Sequence, residues 1–117
     1  MQTARTQDPA VVASHNYRVL LENERMRALE YRSKPGDRTA LLAHPACLIY
    51  SFCPSIIQIT TSYGANAEYE FKAGEVIWMD KSAHRTENIG ATDAHLLIVE
   101  FKEPPMEGEM PGIWWEE

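Results

Sequence analysis

Short β-favouring runs, each bounded by proline, glycine or small polar residues, most constrain how this chain can fold. About eight such runs follow one another at intervals of roughly 8 to 12 residues, and no helical periodicity extends beyond one turn. This spacing is typical of β-sandwiches and closed β-barrels, in which closure removes exposed strand edges. We therefore predict an all-β fold with strands over residues 17–21, 26–32, 46–52, 56–62, 67–71, 76–79, 84–89 and 94–101.

Several of these segments carry more specific expectations. Residues 17–21 and 26–32 flank a short polar link and are predicted to form a hairpin. The run at 46–52 is almost continuously apolar, which favours a strand covered on both sides. The run at 94–101 is apolar on both faces, which favours the centre of a sheet or contact with a partner. Lys34-Pro35-Gly36-Asp37 predicts a tight turn, because proline presets φ and glycine accepts a positive φ.

Residues 74–90 predict a strand, a polar turn at Asp80-Lys81-Ser82 and a second strand. Because side chains alternate along a strand, His84, Thr86 and Asn88 share one face of the second strand. A buried polar group without a partner costs on the order of 1 to 3 kcal/mol. A face that carries an imidazole, a hydroxyl and an amide therefore favours the lining of a pocket over a dry core.

Length and charge limit the classes of partner. A chain of 117 residues is long enough for one domain with its own core. Its formal net charge is −6 and its basic residues are scattered, which argues against nucleic acid. No apolar run approaches the roughly 20 residues that span a bilayer, and residues 1–13 lack the features of a signal peptide. We expect a cytoplasmic protein with no nucleic-acid and no membrane partner.

The two cysteines agree with a reducing compartment. If one extended strand holds both Cys47 and Cys53, they lie about 20 Å apart at about 3.3 Å per residue. That distance is too long for a disulfide. We therefore expect free thiols unless Pro54 marks a turn that reaches back.

Composition divides the chain into three parts. Residues 1–13 form a polar N-terminal arm, either flexible or laid on a neighbour, and residues 14–104 form the barrel. Residues 105–117 form an acidic tail that contains Ile113-Trp114-Trp115. Two adjacent tryptophans seldom stay in water, so the tail either docks on the barrel or a second subunit, or extends into solvent.

The stretch at 74–90 also resembles a motif of the small single-domain cupins. In that family a glycine is followed by a proline, a turn glycine, a histidine and an asparagine. Gly74, His84 and Asn88 match this pattern, whereas Asp80 and Ser82 stand at the positions of the proline and the turn glycine. The resemblance covers roughly residues 8–104 and implies a single double-stranded β-helix, which is a jelly-roll-like cupin barrel.

The other cupin motif, Pro-Gly followed by His-x-His, is matched in part. Pro35-Gly36 and His44 match, but Leu42 stands at the first histidine and Cys47 at the usual position of a third ligand. The resemblance thus makes His44, His84 and Cys47 the candidate ligands for a divalent metal such as Fe, Zn, Mn or Ni. Stable zinc and non-haem iron sites generally use at least three protein ligands, so the metal site is incomplete unless Cys47 serves as a thiolate.

The first functional hypothesis is a barrel that binds a small organic metabolite, such as an acid or a carbonyl compound, in an apolar cavity with His44 and His84 at its polar end. A second is a metal-dependent oxygenase, lyase or isomerase that uses His44, His84 and Cys47. A third is a non-catalytic interaction protein that dimerises, since the resemblance implies a homodimer. The predicted pocket residues are His44, His84, Cys47, Leu42, Tyr50, Thr86 and Asn88.

Three further residues, Glu30, Tyr31 and Trp78, are candidates for this pocket. On the second predicted strand, either Glu30 or Tyr31 can face the cavity, because neighbouring side chains point to opposite faces. Trp78 and Tyr50 can either wall a pocket or belong to the core.

Overall fold

The computed structural model describes residues 7–102 of the chain and contains two antiparallel β-sheets. One helix precedes the strands: α1 (Pro9–Val12). The strands are β1 (Tyr17–Glu22), β2 (Met26–Ser33), β3 (Leu42–His44), β4 (Cys47–Ser51), β5 (Ser55–Thr61), β6 (Asn66–Phe71), β7 (Val76–Met79), β8 (Ser82–Asn88) and β9 (Ala94–Phe101). Within residues 7–102, no helix is long and apolar enough to cross a membrane.

The sheet topology is that of a double-stranded β-helix. The five-stranded sheet has the order β1-β2-β9-β4-β7, and the four-stranded sheet has the order β3-β8-β5-β6. The all-β prediction is confirmed, and so are the hairpin of β1 with β2 and the central place of β9. The turn before β3 has the expected glycine, since Gly36 adopts a φ of 89°.

The two strands of the stretch at 74–90 lie in different sheets. β7 pairs with β4 in the larger sheet, whereas β8 pairs with β3 and β5 in the smaller one. Asp80 and Lys81 carry the chain from one sheet to the other. The link therefore lies at one end of the barrel, with the start of β8 beside it.

The core lies between the sheets and is built from alternate residues of each strand. In β4, Cys47, Ile49 and Ser51 are buried, but Leu48 is 37% exposed. The prediction that this run is covered on both sides is therefore wrong. The outer face of the larger sheet has no covering layer among residues 7–102, so its apolar side chains remain accessible to solvent.

The N-terminal segment packs on the barrel of its own chain. The Asp8 side chain caps α1 by accepting a bond from the Ala10 N–H at 2.9 Å, and Pro9 at the first helical turn is buried. The Ala43 N–H donates to the Gln7 carbonyl at 2.8 Å. The part of the predicted arm from Gln7 onward thus belongs to the barrel rather than to a separate arm. The predicted tail at residues 105–117 lies outside the described residues.

Candidate functional site

The imidazoles of His44 and His84 meet at the edge of the barrel interior. β3 pairs with β8 in a register that sets Leu42 opposite His84 and His44 opposite Ser82. The two histidines are therefore diagonal neighbours on one face of the sheet. Their Nε2 atoms are 2.8 Å apart, and the two rings stand edge to face at 76°.

Burial keeps both imidazoles neutral near pH 7. It lowers the pKa of His44, although the bond to the Pro45 carbonyl opposes the shift. Burial, reinforced by the neighbouring His44 ring, lowers the pKa of His84 to about 4. In a dry site the charged form of an imidazole loses its hydration, which favours the neutral form.

The hydrogen bonds assign a tautomer to each ring. The Pro45 carbonyl lies 2.8 Å from His44 Nδ1 and can only accept, so His44 carries its proton on Nδ1. In the neutral ring His44 Nε2 is then an acceptor, and His84 Nε2–H must donate to it. The remaining nitrogen of His84, Nδ1, is buried, and the hydrogen bond of the ring with the Arg85 backbone opposes the fall in the pKa of His84.

Cys47 lies on the wrong side of His44 to complete a metal site. Its Sγ is 3.8 Å from His44 Nδ1, on the side of the ring away from the facing Nε2 atoms. Burial, together with the nearby Glu100 carboxylate, raises the pKa of the Cys47 thiol to about 12, so the thiol stays protonated. Within residues 7–102 no three His, Cys, Asp or Glu side chains are grouped to hold a metal ion. The donor set therefore does not fit a three-ligand zinc or iron site.

The barrel interior contains a small, mainly apolar cavity next to the histidine pair. About 30 Å³ of it is open to the centre of a water molecule. Since one ordered water needs roughly 10 to 15 Å³ by this measure, the space admits only a few waters and no organic metabolite. Its lining comprises Pro9, Tyr17, Tyr31, His44, Cys47, Ile49, Ile57, Ile59, Phe71, Met79, His84, Thr86, Leu96, Ile98 and Glu100.

A buried ionic network adjoins this cavity, and no motif in the sequence predicted it. Arg27 Nε donates to Glu100 Oε1 at 3.0 Å, and the guanidinium donates two further bonds to Asp8 at 2.9 and 3.0 Å. Glu100 Oε2 has no partner among the described residues, and burial raises the pKa of Glu100 in spite of Arg27. One signal was available: Glu100 is a carboxylate in phase with the inward residues Leu96 and Ile98 on a central strand.

Two larger clefts flank the histidine pair at the barrel mouth. The cleft on the His44 side, which we call the His44 cleft, has a volume of about 330 Å³ and is lined by Asp8, Arg27, Ala43, His44, Pro45, Lys81 and Ser82. The cleft on the other side, the His84 cleft, has about 360 Å³ and is lined by Ile59, Thr61, Ala65, Asn66, Ala67, Tyr69, Trp78, Met79, Asp80, Lys81, Ser82 and His84. Both volumes are in the range of sites that bind small molecules.

The other predicted pocket residues do not all lie at this mouth. Thr86 lines the interior cavity, with its hydroxyl 3.2 Å from that of Thr39. Leu42 is fully buried in the core. Tyr50 points to the outer face of the larger sheet, away from Cys47 and Ile49, and packs edge to face on Phe52.

Asn88 is also buried, but its amide is used within the fold. Its Nδ2 donates to the Thr92 carbonyl at 3.0 Å and to the Ser33 hydroxyl at 3.2 Å. Its Oδ1 accepts from the Gly90 N–H at 3.0 Å. These bonds tie the end of β8 to the end of β2 and to the following turn, which is a structural role.

The remaining alternatives are decided by side-chain direction. Tyr31 faces the cavity, whereas Glu30 lies on the outer face and pairs with Arg18 and His95. Those partners lower the pKa of Glu30 to about 2, with the Arg18 hydrogen bond as the largest cause. Trp78 is half exposed and lines the His84 cleft rather than the core.

Solved structures share this fold. A cupin domain from Bordetella pertussis aligns with a TM-score of 0.67 at 20% identity, over 74% of this chain and 92% of that chain. A conserved protein with a double-stranded β-helix domain from Klebsiella pneumoniae aligns with a TM-score of 0.58 at 19% identity, over 71% and 72% of the two chains. A structure of oxalate decarboxylase aligns with a TM-score of 0.53 at 19% identity, over 73% of this chain and 26% of that one.

No protein-family model matches the sequence, and no curated protein sequence does either. Several of the matching structures are described as cupins or as double-stranded β-helix proteins. Residues 7–102 therefore have the cupin fold, as the motif around His84 predicted. Identities of this size define the fold and leave the activity to be argued from the site.

Proposed function

We propose that this cupin-fold domain binds a small organic metabolite at the barrel mouth, beside the neutral His44–His84 pair. The observation that carries the proposal is the position of the pair between two clefts of ligand size, with one histidine lining each cleft. Lys81 and Ser82 line both clefts. The interior cavity is too small for such a ligand, so the proposed site is the mouth and not the interior.

The chemistry of the mouth suits a ligand with a carbonyl or carboxyl group. The Ser82 hydroxyl is buried and has no partner among the described residues. A ligand oxygen that accepts a hydrogen bond from it would remove the cost of this unsatisfied buried group. Ile59, Met79 and Trp78 supply apolar contact for the rest of the molecule. The paired imidazoles can hold or pass a proton, because one Nε2 donates to the other. This function requires no resident metal.

Trp78 gives a direct test, because it lines the His84 cleft. In a Trp114→Phe/Trp115→Phe variant it is the only tryptophan of the chain. We expect pyruvate or cyclohexanone to change its emission in a saturable way. Ala67→Phe fills the cleft from an exposed position and should weaken binding by roughly tenfold or more, which corresponds to about 1.4 kcal/mol.

The matched control is Ala91→Phe, at an exposed position that lines neither cleft. It should bind as tightly as the parent. Binding that survives Ala67→Phe unchanged, or no saturable response to either compound, would contradict the proposal. Stoichiometric zinc, iron, manganese or nickel in the purified protein, lost in His84→Ala, would instead support the metal-dependent alternative.

We also propose that the domain forms a homodimer through the outer face of the larger sheet. This face exposes Leu48, Val76, Trp78 and Phe101, and the last two stack with ring centres 5.9 Å apart. Aligned apolar and aromatic side chains of this kind are typical of interface cores. A second copy presents the same face, so the contact would be self-complementary.

Val76→Glu should halve the mass measured by light scattering. Val76 is 56% exposed, so the substitution places a charge in the proposed interface with little cost to the folded monomer. Tyr63→Glu is the control, because Tyr63 is 83% exposed on the turn between β5 and β6. Equal masses for Val76→Glu and the parent would exclude this face as the dimer interface.

A reducing compartment such as the cytoplasm is part of the proposal. The support is that both cysteines are free: Cys47 is buried against His44, and the Cys53 thiol donates to the Asp93 carbonyl. Cell fractionation followed by immunoblotting would test this placement.

A further inference from the structure

The Asp8 carboxylate is bound by Arg27 as a free carboxylate would be. Two parallel N–H groups of the guanidinium donate to the two carboxylate oxygens, at 2.9 and 3.0 Å. This fork geometry is the one by which arginine recognises planar anions. The pair lies in the lining of the His44 cleft, and His44 and Ser82 belong to the same lining.

The segment that carries Asp8 packs on the core of the barrel through Pro9, Val12 and Ala13. Its helix has only four residues, and Val11 on that helix is 60% exposed. Pro9 is buried against the interior cavity, and the Gln7 carbonyl accepts one bond from Ala43. A four-residue helix has no stability of its own, so these contacts decide whether the segment stays in place.

We propose that Asp8 occupies the place of a ligand's carboxylate, and that the His44 cleft is a site for small organic carboxylates bound by Arg27. The N-terminal segment is then a built-in competitor, released when a ligand carboxylate replaces Asp8. This inference rests on the proposed ligand-binding function and names the chemical class of the ligand.

The exchange keeps the buried charges balanced. Arg27 bonds to Glu100 on its other side, so one incoming carboxylate replaces one outgoing carboxylate and the guanidinium is never left short of a partner. A neutral amide of the same shape cannot do this. The Ser82 hydroxyl in the same cleft, which has no partner within residues 7–102, supplies a further donor for the ligand.

The test compares the affinity of benzoate for the parent chain and for Asp8→Ala, by titration calorimetry. Where a competitor occupies the site, the apparent affinity falls by the fraction of open molecules. We expect Asp8→Ala to bind benzoate roughly tenfold or more tightly than the parent does. Benzamide should bind to neither. Glu22→Ala is the matched control, because it removes the Lys102–Glu22 ion pair, which is more exposed, and should leave benzoate affinity unchanged.

Two further measurements make the outcome decisive. Asp8→Ala/Arg27→Lys keeps the positive charge at position 27 but loses the two parallel N–H donors of the guanidinium. It should therefore lose the gain in benzoate affinity. In a Cys53→Ser background of the parent chain, benzoate should speed the labelling of buried Cys47 by a thiol reagent, because release of Pro9 opens the cavity that both residues line.

The proposal is overturned if Asp8→Ala binds benzoate no more tightly than the parent does, or if Asp8→Ala/Arg27→Lys retains the gain in benzoate affinity. It is also overturned if benzamide binds as tightly as benzoate. In that case, a change in Trp78 emission on adding cyclohexanone, abolished by Ala67→Phe, would still support ligand binding in the His84 cleft. The failure of this inference can thus be told apart from failure of the proposed function.

Discussion

Replacing Arg27 by methionine lowers the free energy of unfolding by about 3 to 5 kcal/mol, which is the expected cost of removing one partner from a buried ion pair. The guanidinium side chain is only 13% exposed and bonds to both Asp8 and Glu100. Without it, the buried Glu100 carboxylate has no cationic partner among residues 7–102, and Asp8 loses both of its bonds from the guanidinium. Urea unfolding followed by circular dichroism measures the change, and an unaltered slope against urea shows that the folded state is otherwise intact.

Arg18→Met is the matched control. Arg18 also bonds to a carboxylate, that of Glu30 at 2.8 Å, but its side chain is 72% exposed. Exposed pairs contribute about 0 to 1 kcal/mol, so this variant should stay within that range. The double variant Arg27→Met/Glu100→Leu should regain part of the loss, because it removes the unpaired charge. Equal effects of Arg27→Met and Arg18→Met would show that the network is not buried in solution.

Lowering the pH from 6.5 to 4 destabilises the protein by about 3 kcal/mol through His84 alone. The folded-state pKa of His84 is about 4, below the unfolded value of 6.5. In this window the unfolded chain takes up a proton that the folded chain does not, so stability falls as the pH falls. Below the folded pKa both states are protonated and the loss is complete.

The effect is measured as a difference between the parent and His84→Gln across the pH range. Carboxylates with raised pKa values, such as Glu100, act in the opposite direction, and the difference cancels them. The parent should lose stability more steeply than His84→Gln between pH 6.5 and 4. His15→Gln, at an exposed position, is the control and should keep the parent's profile. Parallel profiles for the parent and His84→Gln would mean that the imidazole is hydrated.

Strand positions could be predicted from the sequence because they depend on local properties. β7 and β9 have the predicted bounds, and most other strands differ by one or two residues at an end. β3 was missed, since three residues are too few for a periodic pattern and the strand exists only through its pairing with β8. The short helix α1 was also not predicted, because four residues are too few to show a helical period.

The site could be predicted in part. His84 and His44 lie together because each occupies a position with a recognisable motif and the fold pairs their strands. Cys47 lies near His44, but on the side that precludes shared ligation. Glu100 is 73 residues from Arg27 in the sequence, so no local pattern joins them. Only the pairing of β2 with β9 sets them directly opposite each other.

The sequence by itself determined the fold class, the central position of β9 and the inward face of β8, because hydrophobic alternation and turn chemistry act over a few neighbouring residues. The tertiary structure decided that β7 and β8 lie in different sheets, that Tyr50 faces outward and that Asp8 is bound to Arg27. These features depend on which surfaces meet in space and how much room is left between them. A linear pattern can predict that a histidine is buried, but only the packed barrel defines the size of the space beside it.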